Sequence, residues 1–309
     1  MDPFFPLRKV VIPAAGLGTR MLPVSEVVPK ELLPVGGKPA IQYAIEEAIA
    51  SGVAEVVVVT RPDKPWLVDF LTRDQKAPSR GFECQKKTEA LDALFCQLRI
   101  TLVEQPQPQG LGDALLCARP EIGDDTFGVI LPDAIIDARL PVLAQLAVAF
   151  QEQPGSYVAT QPVEPRDVHR FGMLALEPLH GAARAGSVFR VRSIVEKPSF
   201  TQTPSSFGVF GRYVFTGEIF SLLDEVAAGS CGEVQLSDAL AKYCERYPLY
   251  AFCFDGRHYD VGDPSGYFRA VVDFTLKDKQ IGPTFRDYLS GVLGSSPAER
   301  PADVFSGFR

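Results

Sequence analysis

A short apolar run that enters a glycine-rich turn sets the strongest limit on how this chain can fold. Residues Val10–Ala15 are followed directly by Gly16–Arg20, which reads Gly-Leu-Gly-Thr-Arg. The run predicts a strand, and the glycines leave backbone N–H groups uncovered because glycine has no Cβ. A phosphate group can therefore approach the backbone at this turn. Alone, the turn is equally consistent with an ordinary tight connection between a strand and a helix.

Two cations close to the turn favour nucleotide chemistry over a plain structural connection. Arg20 ends the turn, and Lys30 follows within the segment Pro29–Pro34, which reads Pro-Lys-Glu-Leu-Leu-Pro. Uncovered backbone N–H groups and fixed positive charges together provide what a polyphosphate needs. The sequence therefore predicts a nucleotide phosphate site in this region.

Apolar strands that alternate with amphipathic segments predict an α/β fold. In the first half, strands are predicted at Lys9–Ala14, Glu55–Thr60, Ile100–Glu104 and Thr126–Leu131, and helices at Ala40–Ser51, Pro65–Leu71, Lys86–Leu98 and Leu111–Pro120. The valine-rich second strand is typical of a strand buried on both faces. Right-handed crossovers between such strands give a Rossmann-like, doubly wound and mostly parallel sheet.

The second half is richer in short strands, which favours a smaller β-rich lobe. The pattern from about Ser156 predicts strands at Tyr157–Gln161, Met173–Glu177, Val188–Glu196, Phe207–Phe215 and Tyr250–Asp255, and helices at Glu218–Leu223 and Gln235–Tyr247. Beyond Gly282 the chain shows little apolar periodicity. We expect this tail to be mobile or in contact with another subunit.

Charge and cysteine content narrow the classes of partner and compartment. The formal net charge of -7 argues against nucleic acid or an anionic membrane as a partner, because both are bound by basic surfaces. The chain has no apolar run long enough for a membrane span and no signal-peptide pattern, so we expect a cytoplasmic protein. The 6 cysteines include no Cys-x-x-Cys pair and are expected to be structural thiols of a reducing compartment.

An ordered set of motifs resembles one enzyme family. The motifs are Ala14–Pro23, Pro29–Pro34, Gly110–Gly112, Leu131–Asp133, Val195–Pro198, Gly211–Tyr213, Glu233–Asp238 and Tyr259–Gly262. In this order they resemble the bacterial sugar-1-phosphate nucleotidylyltransferases, and especially the branch that transfers a uridylyl group from UTP to glucose 1-phosphate. The resemblance extends to about Lys277 and therefore covers most of the chain.

The resemblance implies one nucleotidyltransferase domain over residues 1–281, followed by a C-terminal tail over 282–309. Its nucleotide-binding half would span about 8–155, and its sugar-binding half about 156–281. The implied reaction is Mg²⁺-dependent attack of the sugar phosphate on the α-phosphorus of UTP, with pyrophosphate leaving in line. Relatives assemble as dimers or tetramers, so the resemblance also implies a homodimer or homotetramer.

Asp133 and Asp260 are the candidate metal ligands. Asp133 follows a predicted strand, and ligands of open α/β sheets bind at the carboxyl ends of strands. One or two carboxylates completed by phosphate oxygens and waters suit Mg²⁺. An isolated aspartate at a strand end more often caps a helix or turn, but the family motifs around both residues favour metal binding. Asp137 is a weaker candidate.

The resemblance also assigns the substrate-binding residues. The implied catalytic residues are Arg20, Lys30 and Lys197. Arg20 and Lys30 would hold the triphosphate and the departing pyrophosphate, and Lys197 would hold the sugar phosphate. The sugar itself would contact Gly172 and Glu196, with possible support from Glu233 and Gln235. The predicted nucleotide-binding residues are Ala14, Ala15, Gly16, Gly18, Thr19, Gln105, Gly110 and Asp133. Within this set, the Gln105 amide offers donors and an acceptor that could match the edge of a pyrimidine.

Three departures from the family pattern keep other interpretations open. Ser25-Glu26 stands where a Thr-Lys pair is usual, Asp113 where histidine is usual, and Ser206 where asparagine is usual. One alternative is a sibling enzyme that uses dTTP or another hexose 1-phosphate. The other is a non-catalytic paralog that binds and regulates an active partner.

Overall fold

The computed structural model describes residues 7–72, 82–179, 186–226 and 232–294, and the side chains of all of these except 82–88. Within them the strands are β1 (Lys9–Pro13), β2 (Pro34–Val35), β3 (Lys38–Pro39), β4 (Glu55–Thr60), β5 (Arg99–Glu104), β6 (Phe127–Ile130), β7 (Ala134–Asp137), β8 (Ser156–Pro162), β9 (Gly172–Pro178), β10 (Val188–Glu196), β11 (Phe207–Phe215), β12 (Leu249–Cys253) and β13 (Arg257–Asp260). The helices are α1 (Ala40–Ala50), α2 (Pro65–Thr72), α3 (Phe82–Phe95), α4 (Leu111–Ile122), α5 (Val142–Glu152), α6 (Glu218–Glu225), α7 (Leu236–Arg246), α8 (Pro264–Lys277) and α9 (Gly282–Gly294).

Among the described residues, the main sheet has the strand order β5-β4-β1-β6-β11-β8-β12-β10-β9. The first four strands in this order are parallel, as predicted for the first half of the chain. Strand β11 then runs antiparallel to both β6 and β8, and β10 runs antiparallel to β12 and β9. The predicted α/β class is confirmed, with a sheet that is parallel on one side and mixed on the other.

The continuous valine run of β4 is explained by burial on both faces of the sheet. Val56 and Val58 pack into a core that includes residues of α1 and α5. Val57 and Val59 point the other way, into a core that includes residues of α4 and α7. Successive side chains of a strand alternate between faces, so a strand covered on both sides needs apolar residues throughout. Helices therefore cover this strand on both faces of the sheet.

Several features differ from the sequence prediction. The helices α5 and α8 and the two-stranded sheet of β2 and β3 were not predicted. The short antiparallel sheet of β7 and β13 was not predicted, because each strand has four residues and polar members. The segment after Gly282, which we expected to be a tail, begins with the helix α9 packed beside α8. Its pattern is weak because most of its side chains are not buried. Within the described parts of the chain, no helix has the length and apolar character of a membrane span.

Candidate functional site

The carboxyl ends of the four parallel strands carry most of the predicted nucleotide-site residues. The turn Gly16–Arg20 follows β1, Gln105 follows β5 directly, and Asp133 follows β6. Because these strands are neighbours in one parallel sheet, their carboxyl ends lie along one edge. The topology therefore gathers residues that are far apart in sequence.

Residues Gly16–Thr19 of the glycine-rich turn line a narrow cleft of about 370 Å³, whose wall also includes Lys30, Gln105, Gly110 and Asp133. Arg20, the last residue of the turn, lines the wider cleft described below. Gly18 has a φ of 69°, a left-handed conformation that favours glycine. The Ser25 hydroxyl donates to the Gly18 carbonyl at 2.8 Å and thereby fixes the turn. In the pair that departs from the family pattern, Ser25 thus supports the turn, whereas Glu26 is exposed.

Lys64 contacts the backbone of the same turn, although no role was predicted for this residue from the sequence. The side chain is buried, and Nζ donates to the carbonyls of Ala14 at 2.6 Å and Gly16 at 2.8 Å and to Glu31 Oε2 at 2.9 Å. Burial lowers the pKa of Lys64 below its ordinary value, and Glu31 only partly opposes this. The ammonium draws two loop carbonyls inward. Its position after the buried strand β4 was a signal that could have identified it.

Ala14 lies behind the cleft rather than in its wall. It is fully buried, and its N–H donates to the Val59 carbonyl at 2.7 Å while its carbonyl accepts from Lys64. Of the predicted nucleotide-binding residues, Ala15, Gly16, Gly18 and Thr19 do line the cleft. The backbone polar groups of Ala14 are thus used within the protein, which gives this residue a supporting position.

We expect Lys64→Met to raise the KM for UTP about tenfold or more, because unpaired buried carbonyls cost about 1–3 kcal/mol each and the turn would rearrange. Steady-state kinetics with varied UTP would measure this change. Since the single variant leaves the Glu31 carboxylate buried without its partner, the double variant Lys64→Met/Glu31→Gln serves as the control for folding. A normal KM in a folded double variant would contradict the role of Lys64.

Lys30 and Asp133 form a close ion pair at the centre of the site, with 2.5 Å between Nζ and Oδ2. Burial opposes the charge of Lys30, but Asp133 and then Glu31 outweigh it and raise the pKa of the ammonium. Burial also opposes the charge of Asp133, but Lys30 outweighs it and lowers the pKa of the carboxyl. Both groups are therefore charged at neutral pH.

The pairing of β7 with β13 brings Asp260 to Asp133. Asp260 pairs with Ala134 in the antiparallel register, and the Val261 N–H donates to the Asp133 carbonyl at 2.8 Å. A Cβ placed on Gly262 would lie 2.8 Å from Asp133 Oδ2 and 3.3 Å from Asp260 Oδ1. The two predicted metal carboxylates thus flank a single point, and glycine at 262 leaves room between them.

Two arginines contact the Asp260 carboxylate. Arg20 and Arg170 reach Asp260 Oδ2 at 3.0 and 3.1 Å, and Arg170 also reaches Asp263 Oδ2 at 3.1 Å. Arg20 was predicted, but Arg170 was missed because no local motif marks it. Asp137, the weaker metal candidate, lies at the other end of β7 and pairs with Lys277.

Most of the predicted sugar residues line a second, wider cleft of about 860 Å³, namely Gly172, Glu196, Lys197 and Gln235. Glu233 lines the narrow cleft instead. Gly172 pairs with Glu196 between β9 and β10, and a Cβ on Gly172 would lie 3.1 Å from Glu196 Oε2. Lys197 Nζ lies 3.3 Å from Glu196 Oε1. The Lys197 backbone has a φ of 43°, which lysine rarely adopts, and its N–H donates to the Phe171 carbonyl at 3.1 Å. Strained residues of this kind concentrate at functional sites.

His258 also lines the wide cleft and was assigned no role from the sequence. Its ring lies 4.9 Å from that of Phe210 and 6.1 Å from that of Phe171, edge-on in both cases. Burial, and then the nearby Arg212 guanidinium, lower the pKa of His258 to about 3. The imidazole is therefore neutral at physiological pH and acts as part of an aromatic wall.

The wide and the narrow cleft share the wall residues Leu111, Leu131 and Asp133. Among the described residues, no group of three or more histidine, cysteine, aspartate or glutamate side chains could hold a metal ion. The pair Asp133 and Asp260 still fits a Mg²⁺ ion that takes its other oxygens from phosphate and water. The site therefore has two clefts that meet at Asp133, and Asp260 lies in the wall of the wide cleft only.

Several known proteins are similar to this chain in sequence or in structure. The model of the family described as Nucleotidyl transferase matches residues 9–276. The UTP–glucose-1-phosphate uridylyltransferase of Bacillus subtilis (strain 168) is 38% identical over 290 residues, which cover 93% of this chain and 97% of that protein. A solved UDP-glucose pyrophosphorylase complexed with UDP-glucose has a TM-score of 0.80 at 33% identity, covering 88% of this chain and 100% of that one. A UTP-bound UGPase from Acinetobacter baumannii has a TM-score of 0.79 at 30% identity, covering 92% and 98%.

Proposed function

Because this chain belongs to the nucleotidyl transferase family, we propose that it makes UDP-glucose and pyrophosphate from UTP and glucose 1-phosphate. The observation that carries the proposal is the position of Asp133 in the wall shared by two clefts. One cleft has the glycine-rich turn expected for a triphosphate, and the other has Glu196 and Lys197, suited to a phosphorylated sugar. The alternatives of a dTTP-specific sibling and of a non-catalytic paralog are not favoured, because the similar proteins are named for the uridylyl reaction.

The reaction is a displacement at the α-phosphorus of UTP. A phosphate oxygen of glucose 1-phosphate forms a bond to that phosphorus, and the bond to the β-phosphate bridging oxygen breaks. The protein has little covalent work to do, so catalysis depends on positioning and on neutralising charge. Lys197 holds the attacking phosphate, Glu196 accepts hydrogen bonds from sugar hydroxyls, and the turn N–H groups together with Arg20 hold the triphosphate. Lys30 balances the charge beside the α-phosphate.

Asp133 and Asp260 would hold Mg²⁺, which when bound supplies charge neutralisation for the phosphates. Their carboxylates now accept from Lys30, Arg20 and Arg170. When the carboxylates hold the ion, these three cations would be free to contact the substrate phosphates.

The proposal includes a homodimer or homotetramer in the cytoplasm that supplies glucosyl units for polysaccharide synthesis. Self-association is supported by exposed apolar side chains on and beside the C-terminal helices, namely Phe268, Ile281, Tyr288 and Leu293. A reducing compartment is supported by the free thiols of Cys96, Cys117, Cys244 and Cys253. Cys84 and Cys231 lie outside the described side chains.

We expect the purified chain to release pyrophosphate from UTP and glucose 1-phosphate in the presence of Mg²⁺, and EDTA in excess to stop the release. A coupled pyrophosphate assay measures both, with dTTP and other hexose 1-phosphates as parallel substrates. If no pair of nucleotide and sugar phosphate gave pyrophosphate, the proposed function would be contradicted. Faster release with dTTP than with UTP would show that the chain has the activity of the dTTP-specific sibling. Full activity in EDTA would contradict the metal assignment alone.

A further inference from the structure

Gln105 is held by two groups that can only accept hydrogen bonds. Its amide nitrogen Nε2 donates to Asp113 Oδ2 at 2.6 Å and to the Gly110 carbonyl at 3.1 Å. The residue is 2% exposed and lies in the wall of the narrow cleft. Both N–H bonds of the amide are therefore used inside the protein, and Oε1 is left as the polar atom that the side chain offers to a ligand.

These two acceptors determine which way the amide faces. An ionised carboxylate and a backbone carbonyl have no hydrogen to donate. If the amide turned over, Oε1 would face both oxygens, and each of the two N–H donors would lose its partner. A buried polar group without a partner is costly, so the observed orientation is strongly preferred. Asp113 makes the shorter of the two contacts and is thus the main determinant.

Asp113 is well placed for this task. It lies in the first turn of α4, where the partial positive charge of the helix N-terminus favours an anionic side chain. Histidine, the usual family residue at this position, can present either a donor or an acceptor, whereas ionised aspartate presents acceptors only. Asp113 therefore allows only one orientation of the Gln105 amide, whereas a histidine at this position could stabilise either orientation.

Resting on the proposed function, we propose that Asp113 makes this site selective for pyrimidines that carry a hydrogen on N3. Uracil and thymine present N3–H, which Oε1 of Gln105 can accept. Cytosine presents an unprotonated N3 at the same place, so two acceptors would face each other. Asp113 acts as a positioning residue. It does not contact the base itself, but it orients the Gln105 amide so that Oε1 faces the base.

The test is the binding of UDP and CDP, measured by calorimetry with the full chain in the presence of Mg²⁺ and without sugar phosphate. We expect the wild type to bind UDP at least about tenfold more tightly than CDP, because one lost and unreplaced hydrogen bond is worth about a factor of ten. In Asp113→Asn the new amide can donate or accept, so the ratio should fall to about threefold or less. In Gln105→Met, which keeps the length but removes the acceptor, the ratio should approach one.

The matched control is Asp224→Asn. Asp224 lies in α6, outside the cleft, and its carboxylate contacts Arg119 at 2.8 Å. Arg119 belongs to α4, the helix that also carries Asp113, so the UDP to CDP ratio should stay at the wild-type value. The ratio of UDP to dTDP should be unchanged in Asp113→Asn, because both bases carry N3–H. A ratio of affinities does not depend on the folded fraction of a preparation, so partial misfolding cannot imitate the effect.

Three results would overturn the inference. They are a wild-type UDP to CDP ratio near one, a ratio retained in Asp113→Asn but lost in Gln105→Met, or a ratio retained in Gln105→Met. A UDP to dTDP ratio that changes in Asp113→Asn would be a fourth such result, since it would indicate a general change in cleft shape. Binding is measured without turnover, so failure of pyrophosphate release would count against the proposed function only.

Discussion

Asp133→Asn is expected to lower kcat/KM for pyrophosphate release by at least about 10³-fold. Loss of one charge-stabilising group in an active site commonly costs about 10²–10³ in rate, and this carboxylate pairs with Lys30 and is a proposed metal ligand. Asp133 also lies in the wall common to both clefts. Kinetics with UTP and glucose 1-phosphate at saturating Mg²⁺ would measure the loss.

The variant also removes the partner of a partly buried lysine, which can cost up to about 3–5 kcal/mol of stability. The melting temperature must therefore be measured on the same preparation in assay buffer, and it must lie above the assay temperature. Asp137→Asn is the matched control, because Asp137 lies on the adjacent strand β7 and pairs with Lys277 outside both clefts. A folded Asp133→Asn enzyme within tenfold of the control would contradict the central role of Asp133.

Lys197→Ala and Arg20→Ala are expected to separate the two phosphate sites. Loss of Lys197 should lower kcat by about 10²–10³-fold while the affinity for UTP alone stays close to normal, because this lysine faces the sugar cleft. Loss of Arg20 should lower kcat and weaken UTP binding as well. Calorimetric titration with UTP, before any sugar phosphate is added, gives the direct comparison.

A control for both variants is Arg192→Ala, which removes an exposed cation from β10 that pairs with Glu177. It should change neither kcat nor UTP affinity. Each of these substitutions also removes an aliphatic stem, so the folded fraction is checked by melting temperature. Equal UTP affinity in the Lys197 and Arg20 variants would show that the division of the cations between the two substrates is wrong.

The predictable part of the site is the part encoded by local sequence. The glycine-rich turn after an apolar strand is followed closely by Arg20 and Lys30, and Asp133 follows a strand whose end must lie at the ligand edge of the sheet. The strands β1, β4 and β6 were likewise predictable, because their buried centres need mostly apolar residues. For these elements, a few neighbouring residues carry the whole signal.

The remaining part depends on contacts between distant segments. The β7–β13 register, which joins Asp260 to Asp133, is set by two four-residue strands with no apolar alternation. Lys64 and Arg170 act through partners that no spacing rule connects to them. Gln105 was identified as a reader of the base, but the acceptors that orient its amide become visible only in three dimensions.

The left-handed backbone at Lys197 has a consequence for how the protein tolerates change. A non-glycine residue held in that conformation costs about 1–3 kcal/mol, and here the cost falls on a residue assigned to the chemistry. Glycine or asparagine would relieve it, since both adopt this conformation more easily than lysine. Selection for heat resistance alone would therefore favour replacing the lysine that is proposed to hold the attacking phosphate. At position 197, we therefore expect substitutions that raise stability to lower activity.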